Sequence, residues 1–291
     1  MTRLRMWGAL AGVTLVAGCS SPASEPAVDL PVKNEAQWVM PLNRYQLPAA
    51  DPASREGWLV GMTACMREAG YPAPEVPRGF ARPKDPASNA VGYRLFTPEV
   101  LGRYGYHHGE EITGRTTDPG DEMAKLLPTW GKPGAEAFAR CSAKFDNLLH
   151  VADDTKPNSA NWLALEAERK AAADPAVKQA ASAWGACMKP LGLGQLPDSP
   201  AKFPDAAYLE QIKPGFGTDK EPESSVPSAE ELRVAKHDAK CRQESGYQHA
   251  AYEATWNAEV GLIKKNYADL EGDLEKAEST LAQARKVAQQ R

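Results

Sequence analysis

The amino-acid sequence predicts an all-α protein of two disulfide-stapled helical modules, with Pro- and Gly-rich loops and a long C-terminal helix of the coiled-coil type. Three observations support this fold class. Valine and isoleucine are scarce relative to alanine, glutamate, lysine and leucine, which favours helix over strand. A helical pattern that carries a cysteine occurs twice along the chain. The segment after Pro227 contains no proline, as a long helix requires.

The N-terminus predicts export and lipid attachment. Arg3 and Arg5 precede an apolar segment over residues 8–18, far shorter than the roughly 20 residues that a transmembrane helix needs. The segment ends at Leu15–Cys19, which resembles the bacterial lipobox, whose cysteine thiol takes a diacylglyceryl group before cleavage. We therefore expect a lipoprotein signal peptide over residues 1–18 and a lipid on Cys19. The alternative is an ordinary secretory signal followed by a chance cysteine, and both interpretations export the chain.

A lipid on Cys19 predicts a cell-envelope location. The anchor would lie on the outer face of the plasma membrane, or in the outer membrane where two membranes are present. Loss of residues 1–18 removes two arginines and no acid, which leaves 38 acidic and 32 basic residues and disfavours a nucleic-acid partner. Residues 19–37 are rich in Ser, Pro and Ala, so they predict a disordered tether that could hold the body up to roughly 50 Å from the membrane.

Two segments of the chain, Asp51–Gly70 and Asp174–Gly192, match each other as an internal repeat. Each begins with Asp-Pro, carries a Cys-Met pair near its end, and has a glycine five residues after the cysteine. An aspartate that caps a helix, a proline in the first turn and a terminal glycine are the start and stop signals of a helix. The repeat therefore predicts two equivalent helices, each presenting a cysteine near its C-terminal end.

Four cysteines remain once Cys19 is assigned to the lipid, and outside the cytoplasm an even number predicts disulfides. Cys141 and Cys241 lie on later helical patterns, each with an alanine two residues earlier and a basic residue immediately before. The simplest pairing within the repeat joins Cys65 with Cys141 and Cys187 with Cys241. Pairing across the repeats remains the alternative, because four cysteines allow three connectivities.

The cysteine motifs resemble a group of uncharacterised bacterial cell-envelope lipoproteins, best known from actinobacteria. The resemblance covers the lipobox, Cys65-Met66, Cys187-Met188 and the Asp-x-x-Cys pattern at Asp238–Cys241. Cys141 departs from it, since Phe138 stands where the aspartate is expected. The resemblance implies an envelope lipoprotein and no particular activity.

The repeat suggests a division of the body into three parts. Residues 38–157 form the first helical module. Residues 158–228 contain a linking helix, capped by Asn158 or Ser159, followed by the second Cys-Met helix and a loop. Residues 229–291 form the long helix that completes the second module. The two loops are long and carry aromatic residues that we expect to pack on the helices: Tyr93, Phe96, Tyr104, Tyr106, Phe203, Tyr208 and Phe216.

The C-terminal segment predicts one continuous helix and a partner surface. Ser228 and Glu231 form a capping-box pattern, and apolar residues then alternate steps of four and three, as in a heptad seam. Such a helix would span roughly 90 Å, far beyond a small domain. The seam predicts contact with an envelope protein or with a second copy of the chain. The alternative is that the helix folds back on the chain's own helices and that its last part, beyond Leu270, frays in solvent. The predicted partner-binding residues are Trp256, Val260, Ile263, Tyr267, Leu270 and Leu274.

The sequence contains only weak indications of metal binding or catalysis. One short segment contains four weak candidates for metal ligands: His107, His108, Glu110 and Glu111. The simpler interpretation is that they are polar side chains of a solvated loop. His237 and Cys241 also share a helix face, although a disulfide fits Cys241 better. No nucleophile elbow, Walker loop or dinucleotide fingerprint occurs, so we expect no catalytic residue and no cofactor.

These observations predict a membrane-anchored, extracytoplasmic lipoprotein that acts as a non-enzymatic binding or scaffold component of the cell envelope. The alternative is an extracytoplasmic lipoprotein that binds a small ligand or a metal through the aromatic loops and the segment from His107 to Glu111. An envelope hydrolase is the third possibility.

Overall fold

A computed structural model of the chain describes residues 28–80, 85–107, 118–152, 156–212 and 226–290. Within these ranges the regular structure is helical apart from two isolated β-bridges, which confirms the all-α prediction. The predicted signal peptide and Cys19 lie outside the described residues. The helices are α1 (Asn43–Ala50), α2 (Ala53–Glu68), α3 (Pro98–Tyr104), α4 (Pro119–Leu126), α5 (Gly131–Phe145), α6 (Ala160–Ala173), α7 (Pro175–Met188), α8 (Ala206–Ile212), α9 (Ala229–Glu244), α10 (Tyr247–Lys265) and α11 (Tyr267–Ala288).

Both disulfides join the pairs that the repeat predicts. Cys65 on α2 is bonded to Cys141 on α5, and Cys187 on α7 is bonded to Cys241 on α9. The bonds close segments of 76 and 54 residues, and each is expected to stabilise the fold by about 4 kcal/mol through loss of entropy in the unfolded chain. The helix signals of the repeat hold as well, because the Asp174 side chain accepts a hydrogen bond from the first turn of α7 and Gly192 has a positive φ.

The two modules share their cores, so residues 38–157 do not form a separate unit. The loop after the first Cys-Met helix crosses the molecule, and α3 packs against α9 of the second module. Leu101 and Tyr106 are buried in the same cluster as Trp184 and Phe203. The predicted packing of the loop aromatics is thus confirmed for the described residues, but much of it occurs on the other module, whose helices offer the larger apolar surface. Phe216 lies outside the described residues.

The predicted continuous C-terminal helix is wrong. The segment consists of α9, α10 and α11, separated at Gly246, which has a φ of 70°, and at Asn266, whose side-chain amide donates to the carbonyl of Leu262 at 2.8 Å. Each break lets the chain change direction, so the apolar stripe folds back on the body instead of extending into solvent. The last helix then lies along α2 and does not fray.

The predicted partner surface is therefore part of the core. Trp256 is 5% exposed, Ile263 0%, Leu270 2% and Leu274 8%, while Val260 and Tyr267 are half-buried against the same clusters. The heptad spacing was a correct sign of burial, but the chain's own helices cover the stripe.

The predicted tether over residues 19–37 is wrong for its C-terminal part, because the chain packs on the body from Val28 onward, and residues 19–27 lie outside the described residues. Val28 packs against the cluster that contains Leu163 of α6, and Lys33 forms an ion pair with Glu253 at 2.7 Å. The backbone N–H of Asn34 donates to the hydroxyl of Tyr252 at 3.0 Å and completes the attachment. In the described part of the chain, no helix has both the length and the apolar character needed to cross a bilayer.

A close approach of α2 and α11 requires glycine at position 57. A Cβ added to Gly57 would lie 2.5 Å from the carbonyl oxygen of Ala284, whereas one added to Gly272, on α11 itself, would meet nothing within 4 Å. We expect Gly57→Ala to lower the free energy of unfolding by about 1–3 kcal/mol, because backbone must move. The control Gly272→Ala should raise it by up to about 1 kcal/mol through higher helix propensity. Urea denaturation measures both, and equal effects would contradict the close approach.

Glu259 of α10 makes the stability of the fold depend on pH. Its carboxyl is 3% exposed and accepts a hydrogen bond from the backbone N–H of Leu42 at 2.7 Å, and burial raises its pKa to about 7. The folded protein therefore keeps a proton that the unfolded chain releases near pH 4.5, so this contribution is full at acid pH and is lost as pH rises towards 7.

We expect stability to fall by up to about 3 kcal/mol from this group between about pH 4.5 and pH 8. Glu259→Gln should remove that part of the slope, since an amide still accepts from Leu42 but does not titrate in this range. Urea denaturation of both proteins across this pH range checks the prediction. Parallel pH profiles for the two proteins would contradict it.

Candidate functional site

His107, one of the predicted metal candidates, holds a loop against α9. Its imidazole is 3% exposed, and Nε2 lies 3.0 Å from the carboxylate of Glu231, whose other oxygen accepts from the backbone N–H of Tyr106 at 2.7 Å. Only one of the two hydrogen bonds of the predicted capping box forms. The Ser228 hydroxyl accepts from the N–H of Glu231, whereas the Glu231 carboxylate accepts from the loop at Tyr106. His108, Glu110 and Glu111, the other candidates, lie outside the described residues.

His237 lies beside the second disulfide. Ligand atoms of Cys187, His237 and Cys241 lie within 4.8 Å of one another, but the two sulfurs are bonded to each other. The Nε2 of His237 is 3.0 Å from the carbonyl oxygen of Cys187, so it is placed to donate a hydrogen bond there. Since a metal binds the thiolate form of cysteine, the oxidised pair favours a structural role for all three residues.

Asp238 of α9 is the centre of a fully buried polar network. It is 0% exposed, and its carboxylate accepts hydrogen bonds from the indole N–H of Trp184 at 2.7 Å, from Nε of Arg242 at 2.9 Å and from the hydroxyl of Tyr106 at 3.2 Å. Asp238 and Arg242 are four residues apart, which places both on one face of α9. The carboxylate joins α7, α9 and the loop of the first module.

Arg242 carries this network to the wall of a cavity. Its Nη2 donates to the carbonyl oxygens of Pro200 at 2.8 Å and Phe203 at 3.0 Å, and its guanidinium lies 4.2 Å from the ring centroid of Phe96. Nη1 makes no hydrogen bond to any residue that the structure describes. The guanidinium is thus fixed in position by its other contacts and keeps one donor group for a further acceptor.

The cavity has a volume of about 270 Å³ and lies where the N-terminal segment, the loop before α3 and helices α6, α7, α9 and α10 meet. Aromatic and aliphatic side chains form most of its wall, and a few polar groups are placed among them, as is common for small-ligand sites. Its lining includes Trp38, Tyr93, Leu95, Phe96, Glu168, Ala172, Val177, Arg242, Tyr247, Gln248, Ala251 and Thr255.

Trp38 contributes an aromatic wall from a strained backbone position. Its φ is 46°, which side chains of its size rarely adopt. The ring stacks on Tyr93 with centroids 5.3 Å apart and an interplanar angle of 8°, and its edge meets Tyr252. The Asn89 amide holds the Trp38 carbonyl at 3.1 Å. Strain of this kind persists only where the surroundings enforce it, and it is concentrated at binding sites.

Two charged groups of the cavity act on the hydroxyl of Tyr93. Burial raises the pKa of this hydroxyl above its ordinary range, the negative charge of Glu168 raises it further, and Arg242 opposes the shift. Tyr93 is therefore protonated at physiological pH, and its hydroxyl has no hydrogen-bond partner among the described residues. Partial burial also raises the pKa of Glu168 at the exposed rim. Among the polar groups of this wall, the Tyr93 hydroxyl and the Arg242 guanidinium are donors and Glu168 is a carboxylate, and Arg94, Gln248 and Thr255 also line it.

Sequence reasoning found part of this site. We expected Tyr93 and Phe96 to pack as loop aromatics. Nothing in the sequence pointed to Trp38 or Glu168, and the only indication for Arg242 is its helical i,i+4 spacing from Asp238. Two further concavities are described: a pocket of about 140 Å³ between α1 and α11, and a shallow groove near Arg285. Neither combines aromatic walls with a buried cation.

Comparison of the chain with protein-family models, with curated proteins and with solved structures gives no match. The case for the cavity is therefore made from its geometry and chemistry.

The Asp238 network predicts a large loss of stability when its charge is removed. Asp238→Asn leaves the Arg242 guanidinium buried without its counter-charge, and we expect a loss of about 3–5 kcal/mol in the free energy of unfolding. The matched control is Glu230→Gln on the same helix, which removes an exposed partner of Arg233 and should leave the urea midpoint unchanged. A similar midpoint for both variants would show that the network does not stabilise the fold.

Proposed function

We propose that this chain is a lipid-anchored, extracytoplasmic binding protein whose small ligand occupies the cavity between Trp38, Tyr93 and Arg242. The ligand is inferred to carry an anionic group, such as a carboxylate, joined to an apolar or aromatic part. This proposal keeps the interpretation as a non-enzymatic binding protein, and it moves the binding surface from the C-terminal seam to the cavity.

The proposal rests on two hydrogen-bond donors at the cavity wall that have no acceptor among the described residues. Arg242 is 3% exposed and its Nη1 lacks an acceptor among the described residues, and the nearby Tyr93 hydroxyl likewise has no partner there. The remaining N–H group of a guanidinium donates a stronger hydrogen bond to a carboxylate than to a neutral acceptor. Trp38 and Phe96 supply flat apolar surface for the rest of the molecule.

The envelope location is supported by the sequence. Leu15–Cys19 resembles a lipobox, and the Cys-Met and Asp-x-x-Cys motifs resemble those of envelope lipoproteins. Disulfides persist in oxidising compartments, so the two disulfide bonds are compatible with export. The membrane is then the partner of the lipid on Cys19, while the scaffold interpretation loses the exposed seam on which it depended.

We expect a bulky side chain at the cavity rim to block the ligand. Ala172 is exposed on α6 and lines the cavity, and its neighbour Ala173 is also exposed but does not line it. Ala172→Trp should weaken binding of indole-3-acetate or phenylacetate at least tenfold in isothermal titration, whereas Ala173→Trp should leave it unchanged. The matching amides, which lack the negative charge, should also bind at least tenfold more weakly.

Two results would contradict the proposal. One is the absence of a difference between Ala172→Trp and Ala173→Trp, which would place the bound acid elsewhere. The other is equal affinity for the acids and their amides, which would remove the role of Arg242.

A further inference from the structure

The outer face of α6 carries two large apolar side chains that the body does not cover. Trp162 is 46% exposed and Leu165 is 53% exposed, and their spacing of three residues places them side by side on the helix. The opposite face of the same helix is fully used, since Leu163 and Ala167 are buried in the core. In the described part of the chain, these two side chains therefore keep about half of their surface exposed.

Three cations accompany these apolar side chains. Glu166 forms an ion pair with Lys170 at 2.8 Å, and its pKa is lowered first by this hydrogen bond and then by the positive charges of Lys170, Arg169 and Lys265. One carboxylate is thus surrounded by three basic groups, in a chain whose overall charge is negative. We call Trp162, Leu165, Arg169, Lys170 and Lys265 the α6 patch.

The chain enters the body at a cluster to which this helix contributes. Val28 packs against the cluster that contains Leu163 and Ala167 of α6 together with residues of α1, α10 and α11, and Asp29 lies 3.8 Å from Arg44 of α1. The chain advances nine residues from Cys19 to Val28, which span at most about 30 Å when fully extended. A lipid on Cys19 would therefore keep Val28, and the cluster on which it packs, within about 30 Å of the bilayer surface.

We infer that the α6 patch docks on the surface of the membrane to which Cys19 is anchored, with anionic phospholipid as its partner; this inference depends on the proposed lipid anchor. The indole of Trp162 and the side chain of Leu165 enter the headgroup region, where an amphipathic ring is favoured. The basic groups contact lipid phosphates, and the attraction is strengthened because the tether keeps the patch close to the surface.

Docking also fixes the position of the cavity relative to the membrane. Glu168 and Ala172 line the cavity and lie on α6, within about three turns of Trp162. A docked α6 holds the mouth close to the headgroups.

The test uses the mature chain from Cys19, produced without lipid. Four of its five cysteines form disulfides, so the thiol of Cys19 can be coupled to a maleimide phospholipid in vesicles. The vesicles contain brominated phosphatidylcholine, with or without phosphatidylglycerol, because bromine quenches tryptophan that reaches the bilayer. We expect quenching that is stronger with phosphatidylglycerol and that is lost in Trp162→Phe, which keeps the apolar contact but removes the reporting indole.

Two further variants separate docking from tethering. Leu165→Ser should reduce the quenching severalfold, whereas Leu149→Ser, at a leucine 38% exposed near a different helix, should not change it. Equal quenching in the unmodified protein and Trp162→Phe would overturn the inference. A change in oligomeric state caused by Leu165→Ser in analytical ultracentrifugation would also overturn it, because the face would then be an interface between copies.

The anchor itself is tested separately by Cys19→Ala in the producing cell. Persistent membrane partitioning of that variant would refute the lipid anchor, while the vesicle measurement, which supplies its own anchor, would still report on the α6 patch.

Discussion

The carboxylate of Asp238 is the interaction on which the structure most depends. Its two oxygens accept from Trp184, Arg242 and Tyr106, which belong to two helices and to the loop of the other module. A buried carboxylate is costly without a cation, and a buried guanidinium is costly without an anion, so each makes the other tolerable. The Cys187–Cys241 disulfide lies within one turn of Asp238, and it fixes α9 against α7 where the carboxylate must meet the indole.

The cavity follows from this network. Glu231 and Asp238 are seven residues apart on α9, and both face the loop that contains Tyr106, so the loop is held at two points by acids of one helix. The loop brings Tyr93 and Phe96 against α10 and α6, and Asp238 orients Arg242 beneath the Phe96 ring. The donor offered by Arg242 is preorganised because its other donors are already bonded, which lowers the entropy lost when a ligand binds.

Local signals in the sequence predicted local features well. The Asp-Pro pairs and the terminal glycines predicted the two helices of the repeat, and the positions of the cysteines within the repeat predicted both disulfides. The heptad spacing indicated a buried stripe correctly, but periodicity does not say what covers a face. A single residue such as Gly246 costs only about 1 kcal/mol in a helix, so the pattern alone could not distinguish a break from a tolerated glycine. The cavity combines residues from Trp38 to Thr255, and no spacing rule connects segments so far apart.

Helix α6 joins the proposed anchor to the proposed ligand site because both use its exposed side. Leu163 and Ala167 face the core. Leu165, Glu168 and Ala172, at steps of three and four residues, form one stripe that leads from the exposed Trp162 to the cavity. The helix is fixed at both ends, since the Ser159 hydroxyl caps its start and Asp174 both ends it and caps α7. A rigid helix transmits position without any conformational change, so a body docked through the outer face holds the cavity at a constant distance from the membrane.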